Sequence, residues 1–233
     1  MFFKKNNHFE IMKKIGITQK VIIDHNSKEI RDTLDHNWYD FARSINSIFF
    51  PIPNNLKNLK PYLETLNLDG IIFSGGNNIG SKNKIIFKNK SLEIDDVSKK
   101  REIMELELFR WAIKNKKPVI GVCKGMQFIN SFFNGSQIII DKLVHVNKSH
   151  TINFIDDYMI KIYGNKISVN SFHNFGIKKI DLPDELIPTS IFEDEVESFR
   201  NFNNLINGIM WHPERNHPFN KFDIEFFKKT FIQ

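Results

Sequence analysis

One cysteine in a chain of 233 residues, Cys123, stands where an apolar strand pattern meets an apolar helical one. In Lys117-Pro118-Val119-Ile120-Gly121-Val122-Cys123-Lys124-Gly125-Met126-Gln127, Pro118 can open a strand and Val119, Ile120 and Val122 favour one. Met126, Phe128, Ile129, Phe132 and Phe133 then begin a helical period at once, so the thiol occupies the turn itself. Gly121 and Gly125, two residues to either side, permit the close backbone approach and strained conformation of a G-x-S-x-G elbow, with sulfur as the nucleophile. A thiol at a helix N-terminus lies in the positive end of the helix dipole, which favours the thiolate. The N–H of Lys124 points where a developing oxyanion would lie. A buried cysteine without chemistry fits the same spacing, and the spacing alone leaves both open.

A second set of reactive residues closes another apolar run. Leu205-Ile206-Asn207-Gly208-Ile209-Met210 leads into Trp211-His212-Pro213-Glu214. An imidazole can hold the proton of a thiol and return it to a leaving amine, and a carboxylate two residues on can orient that imidazole through its other nitrogen. Pro213 forces extended or turned backbone at His212, which displays the pair at a strand end. His145 and His150 lie five apart in a loop-like stretch, no acidic or cysteine partner completes a ligand set there, and no metal site is expected of them.

The elements needed to position these groups are legible in hydropathy. Lys13–Val21 reads as an opening strand, Asp35–Ser44 as a helix with Trp38 in the core, Ser47–Pro53 as a strand and Leu56–Leu66 as a helix. Asp69–Ser74 reads as a buried strand ending in Gly75-Gly76, where backbone N–H groups can face a ligand beyond the carboxyl end of a sheet. Residues 77–97 read as a surface excursion or flap carrying Lys82, Lys84, Lys88 and Lys90. Asp95–Lys116 reads as an amphipathic helix with Ile103, Leu106, Phe109, Trp111 and Ile113 inward and Lys99, Lys100, Glu105 and Lys114 outward. After the cysteine helix, which runs to Asn134, Gln137–Ile140, Thr151–Ile155, Tyr158–Ile162, Lys166–Val169, Thr189–Phe192, Val196–Phe199 and Leu205–Met210 read as short strands. Phe222–Phe231 closes the chain as a helix. A βα-alternating first half and a β-rich second half imply an α/β fold: a mostly parallel central sheet flanked by helices, with extra antiparallel strands in the second half. One domain, 1–233, with a core of about 13–218, accounts for the length, and 41% hydrophobic residues suffice for a continuous core.

A single cysteine excludes an internal disulfide and a multi-cysteine zinc site and suits a reducing compartment. No stretch forms a signal peptide or a membrane span, so a cytoplasmic protein without membrane attachment is expected. The formal charge of +6 is dispersed among many acids, with no arginine-rich helix or aromatic-basic interleaving. No nucleic acid polymer is therefore expected as a partner; non-specific surface charge comes first, and a phosphorylated or carboxylated small substrate second.

Gly-Val-Cys-Lys-Gly-Met-Gln and Trp-His-Pro-Glu, about ninety residues apart, together resemble the class I glutamine amidotransferases, particularly their gamma-glutamyl hydrolase, peptidase C26-like, branch. Phe73-Ser74-Gly75-Gly76 looks like that family's oxyanion strand. The helix near Lys100-Arg101-Glu102 and the segment Val169-Asn170-Ser171-Phe172-His173, similar to V-N-S-x-H, are further matches in family order. The resemblance implies a flavodoxin-like fold with Cys123 as nucleophile, His212 as acid/base and Glu214 as orienting carboxylate. It implies an oxyanion hole from the N–H groups of Gly76 and Lys124, and substrate contacts at Gly75, Gln127, Ser171, Phe172 and His173. It implies neither a metal nor an organic cofactor. Asn77-Asn78-Ile79-Gly80 is poorer in Gly, Asp and Pro than the family's loop, and Asn174-Phe175-Gly176 departs from the His-Gln-Ala of polyamine-pathway hydrolases. Both departures fall on the leaving-group side.

The expected reaction is hydrolysis of a small gamma-glutamyl substrate through a glutamyl thioester. The resemblance extends to a capsule-pathway branch acting on gamma-glutamyl-CDP-amidate, and the lysines of 81–90 suit such an anionic leaving group. Hydrolysis of gamma-glutamyl-4-aminobutyrate, a glutaminase subunit feeding a separate synthetase, and a catalytically silent regulator are the alternatives. The sequence leaves oligomeric state open, a homodimer included.

Overall fold

A computed structural model of the chain describes residues 12–80 and 98–232. The run read as one opening strand divides at Gln19. Its first part, β1 (Lys13–Thr18), buries Ile15 and Ile17, whereas β2 (Lys20–Ile23) pairs antiparallel with β3 (Ile30–Thr33), a strand in a polar, mixed stretch without strand periodicity. An Asx turn makes that hairpin: the Asp24 carboxylate accepts from the N–H groups of Asn26 and Ser27 at 2.8 and 3.1 Å. α1 (Asn37–Ser44) then buries Trp38, Phe41 and Ala42, and the edge strand β4 (Ser47–Ile52) tolerates Pro51 because it has one neighbour. α2 (Leu59–Leu66) begins at Asn58, whose side chain accepts from the Lys60 N–H, and stops at left-handed Asn67. β5 (Gly70–Phe73) is wholly buried. The excursion read after Asn77 lies, from residue 81, outside the described residues.

α3 (Lys99–Lys114), capped by Ser98, buries a different stripe from the one expected. Arg101, Met104, Glu105, Leu108, Phe109 and Ala112 face inward, while Ile103 is 62% and Ile113 41% exposed. Arg101 and Glu105 are paired one turn apart, and the pair hides charge on the inner face, so hydropathy placed Glu105 outward. β6 (Val119–Val122) leads into α4 (Lys124–Phe132). Then follow β7 (Ile138–Ile139), α5 (Lys142–His145) and β8 (Val146–Phe154).

The stretch Tyr158–Ile162, read as a strand, belongs to a helix, α6 (Asp157–Tyr163). Asp156 caps it, accepting from the N–H groups of Tyr158 and Met159 at 3.1 and 3.2 Å, and Met159, Ile162 and Tyr163 bury one helical face. Short apolar runs do not separate strand from helix by period, and the capping aspartate was the deciding signal. β9 (Lys166–Phe172), β10 (Phe175–Gly176), β11 (Leu186–Phe192), β12 (Glu195–Asn201), β13 (Ile206–Ile209) and α7 (Lys221–Phe231) complete the described chain.

The nine-stranded sheet runs β4-β1-β5-β6-β13-β12-β11-β8-β9. Its first five strands are mutually parallel, and the rest extend it through antiparallel pairings from β13 to β9. Two apolar cores result. Trp38 and Phe41 of α1, Met159 of α6 and Phe226 and Phe227 of α7 pack on one face against Ile15, Ile72 and Ile120. Leu63 of α2, Leu108 of α3 and Ile129 of α4 pack on the other against Ile71, Phe73 and Val119. The carboxyl ends of β5, β6 and β13 therefore open side by side, with helices holding them from both faces.

Candidate active site

Cys123 is the one residue between β6 and α4, with φ 51° and ψ −106°. Such backbone costs a residue with a Cβ about 1–3 kcal/mol and persists where surrounding structure fixes it. Here it is fixed at both ends: the Cys123 N–H donates to the Ile209 carbonyl at 2.8 Å and its carbonyl accepts from the Gln127 N–H at 3.1 Å. Gly125 is required by packing, since a Cβ there would sit 2.0 Å from the Phe73 carbonyl oxygen. The first turn of α4 thus lies directly against the end of β5.

β13 runs parallel to β6 with Ile209 opposite Val122, so the chain beyond Ile209 leaves the sheet beside the cysteine turn. Pro213–Arg215 forms a short 3-10 turn that brings Glu214 back to the imidazole, with His212 Nδ1 2.7 Å from Glu214 Oε1. Asn170 at the end of β9 clamps the backbone there: its amide accepts from the His212 N–H and donates to the His212 carbonyl, both at 2.8 Å. Phe172 packs edge-on to the imidazole at 5.9 Å. Burial opposes a charge on His212, but the Glu214 carboxylate, then the charge of Cys123 and a hydrogen bond with it, outweigh burial and raise its pKa to about 10. Glu214 holds Nδ1 of the imidazole, and Nε2 is the ring nitrogen that remains for a further partner.

The glycine loop after β5 closes the third side. A Cβ on Gly75 would fall 2.5 Å from His212 Cε1, and Gly76 has φ +78°, a region glycine enters without cost. Arg101, fully buried, holds this loop from behind. Its guanidinium donates to the carbonyls of Ser74 at 2.6 Å and Gly75 at 3.0 Å, and to that of Gly76. Carbonyls drawn to one side leave the loop's N–H groups to the other. Glu105 balances the guanidinium at 2.8 Å, accepts from Thr18 Oγ1 at 3.0 Å and pairs with the buried ammonium of Lys124. Burial pulls Lys124 down to about 8 against the pull of Glu105. Sequence reasoning missed Arg101, Glu105 and Asn170 as site-building residues. The hydropathy reading puts Glu105 on the solvated face and leaves Arg101 unassigned, and the spacing of both with Leu108 and Ala112 on one stripe is the available signal.

The expected substrate contacts fall in two groups. Gly75 borders the imidazole in a cleft of about 120 Å³, also lined by Lys20, Asp35, Trp38 and Arg215. Gln127 is buried and donates to the Phe175 carbonyl at 3.0 Å; the Ser171 hydroxyl donates to the His145 carbonyl at 2.7 Å. His173 donates from Nδ1 to the Phe175 carbonyl at 3.1 Å, and its ring faces His145 rather than the cleft. His145 and His150, of which no metal site is expected from sequence, have Glu195 and Glu197 beside them in space.

Solved structures share the architecture. A glutamine amidotransferase from Thermotoga maritima superposes with a TM-score of 0.63 at 16% identity, covering 94% of this chain and 84% of that one. The glutaminase domain of Trypanosoma brucei CTPS gives 0.64 at 13% identity, covering 93% and 92%. The fold is that of the class I glutamine amidotransferases. Within that class, the chain belongs to the Peptidase C26 family, whose model matches residues 14–214, and is accordingly a hydrolase of the glutamine-amidotransferase type. It is similar to the gamma-glutamyl-CDP-amidate hydrolase of Campylobacter jejuni, with 30% identity over 212 residues, 90% of this chain and 94% of the relative. Among the described residues no helix is long and apolar enough to cross a membrane.

Proposed function

We propose that the chain hydrolyses the gamma-glutamyl amide of a small anionic, nucleotide-linked substrate through a cysteine thioester, with gamma-glutamyl-CDP-amidate as its preferred substrate. The observation that carries this is the strained Cys123 at the turn between β6 and α4, next to the strand end that displays an imidazole oriented by Glu214. The Cys123 thiolate attacks the glutamyl carbonyl carbon and the oxygen takes the negative charge. The N–H groups of Gly76 and Lys124 receive it; such a donor is worth roughly 10²–10³ in rate. Collapse breaks the C–N bond, and the imidazolium of His212 gives its proton to the departing nitrogen. Water, losing a proton to His212, then attacks the thioester; the C–S bond breaks and glutamate leaves.

The leaving group is read from charge and from kinship. Lys20 lines the cleft and also a larger hollow of about 650 Å³ that carries His25, Lys99 and Lys100, a basic wall suited to phosphates. The Campylobacter relative is named for gamma-glutamyl-CDP-amidate. The test is glutamate release by the full chain from gamma-glutamyl-CDP-amidate, gamma-glutamyl-4-aminobutyrate and glutamine. The nucleotide-linked substrate is expected to lead by at least tenfold in kcat/KM, and Cys123→Ala to lose at least about a thousandfold. Preference for the aminobutyrate derivative, or glutaminase activity that needs an added synthetase, would overturn the substrate assignment. No glutamate from any of them would mark a silent regulator.

A further inference from the structure

Beside the candidate active site, in the antiparallel half of the sheet, five ionisable side chains are gathered away from solvent. His145 comes from the end of α5, His150 from β8, His173 from just beyond β9, and Glu195 and Glu197 from β12. His145 Nε2 is 3.2 Å from Glu195 Oε2, His150 Nε2 is 3.5 Å from Glu197 Oε1, and His173 Nε2 is 3.8 Å from the same oxygen. Despite this closeness the donors and acceptors are not matched. His145 Nδ1, both nitrogens of His150, His173 Nε2 and Glu195 Oε2 have no hydrogen-bond partner among the described residues. Nor does any lysine or arginine among them pair with Glu195 or Glu197. Buried polar groups in native proteins are satisfied, and a cluster of this kind needs something to satisfy it.

The orientation of His173 shows what that is. Its Nδ1 lies 3.1 Å from the Phe175 carbonyl, an acceptor, so Nδ1 carries the proton and Nε2 presents a lone pair. Facing that lone pair is the Glu197 carboxylate, which presents another. Two Lewis bases aimed at one point call for a cation, and a histidine that donates its second N–H to a backbone carbonyl is the usual arrangement of a metal ligand. His145, His173 and Glu197 each place a ligand atom within 4.8 Å of the other two. Tetrahedral zinc with bonds of about 2.0–2.1 Å sets its ligand atoms about 3.3 Å apart, so closing onto the ion asks His173 Nε2 and Glu197 Oε1, 3.8 Å apart, to move together by about half an ångström.

We propose that His145, His173 and Glu197 bind a divalent transition-metal ion of the zinc type, with His150 and Glu195 in reach of its remaining coordination position. Imidazoles with one or two carboxylates favour zinc over the oxygen-seeking magnesium and calcium. Two carboxylates with no lysine or arginine partner among the described residues suit a divalent cation. The ion ties α5, β8 and β12 to the His173 turn. That turn carries the Phe175 carbonyl on which Gln127, in the first turns of the cysteine helix, depends. Its role is to brace one wall of the site, and no step of the hydrolysis runs through it.

The test uses the full chain, expressed with zinc in the medium and purified without chelator. Elemental analysis is expected to find about one zinc per chain. Chelator treatment should lower the melting temperature by several degrees, zinc should restore it, and magnesium should not. Titrating the chelator-treated protein with cobalt should give the intense visible absorption of a four-coordinate ion. His145→Ala and Glu197→Gln should each bind at least tenfold less metal. If a variant fails to fold, the wild-type titration decides alone. Metal content at background with a melting temperature indifferent to zinc would overturn the proposal, as would zinc binding unchanged in both folded variants.

Discussion

At the scale of single residues, the proton on His212 is the controlling variable. Its pKa stands near 10 because Glu214 and the charge of Cys123 outweigh burial. A group raised in this way keeps its proton through neutrality and loses it as pH rises through about 10, together with the stability the ion pair contributes. The wild-type kcat/KM should therefore show no histidine limb at neutral pH and should decline on the alkaline side only near pH 10. In Glu214→Gln the strongest opposing charge is gone, burial gains the upper hand, and the alkaline decline should move down by at least two pH units. A Glu214→Gln profile that overlays the wild type would contradict the role given to the carboxylate. These three residues were legible in the sequence because each is a chemically distinctive type at an element boundary. Asn170 was not: an asparagine in a strand looks polar and unremarkable, and its hold on the His212 backbone spans 42 residues.

At the scale of elements, the strand, turn and helix around Cys123 work because the glycine loop of β5 is fixed behind them. One buried guanidinium fixes it. Replacing Arg101 by Met leaves the carbonyls of Ser74, Gly75 and Gly76 short of a donor and Glu105 with only Lys124 for charge. Breaking a buried pair costs about 3–5 kcal/mol, which urea unfolding at neutral pH should read directly. Arg101→Lys should recover part of it, since one ammonium cannot reproduce the fork. A loss under about 0.5 kcal/mol would show that the loop holds itself. The same residue explains where hydropathy failed. In α3, Glu105 reads as an outward charge and Ile103 as core, whereas the tertiary partners of Arg101 and Glu105 turn that stripe inward. The strand assignment at Tyr158 failed for a different reason, because five apolar or long residues satisfy both periods and the capping Asp156 lies outside the run. By contrast the buried parallel strands β5 and β6 are continuous apolar runs, β13 is one interrupted only by Asn207, and all three are readable from the sequence.

At the scale of the whole molecule, the two halves of the sheet are joined through groups that are neither wholly core nor wholly site. Asp223 of α7 accepts from Trp211 Nε1 at 3.0 Å and from the Tyr163 hydroxyl at 2.8 Å, linking α6, α7 and the residue before His212. Burial raises its carboxyl to about 6 even though both hydrogen bonds pull it down. The native state therefore holds this proton more tightly than the unfolded chain, and stability is lost as pH rises from 3.8 through about 6. Asp223→Asn keeps an acceptor for both donors without the charge. It should melt near the wild type at pH 4 and several degrees higher at pH 8, and a gap that does not grow with pH would contradict the buried-charge account. The central claim is that the elbow cysteine carries a glutamyl group during turnover, and intact-mass spectrometry of the whole chain tests it most directly. The protein is mixed with gamma-glutamyl-CDP-amidate and quenched in acid within the first turnover. The wild-type chain should gain the mass of one glutamyl group, mapped to Cys123 and absent in Cys123→Ala. Glutamate released at full rate with no adduct in the wild type and no loss in Cys123→Ala would contradict it.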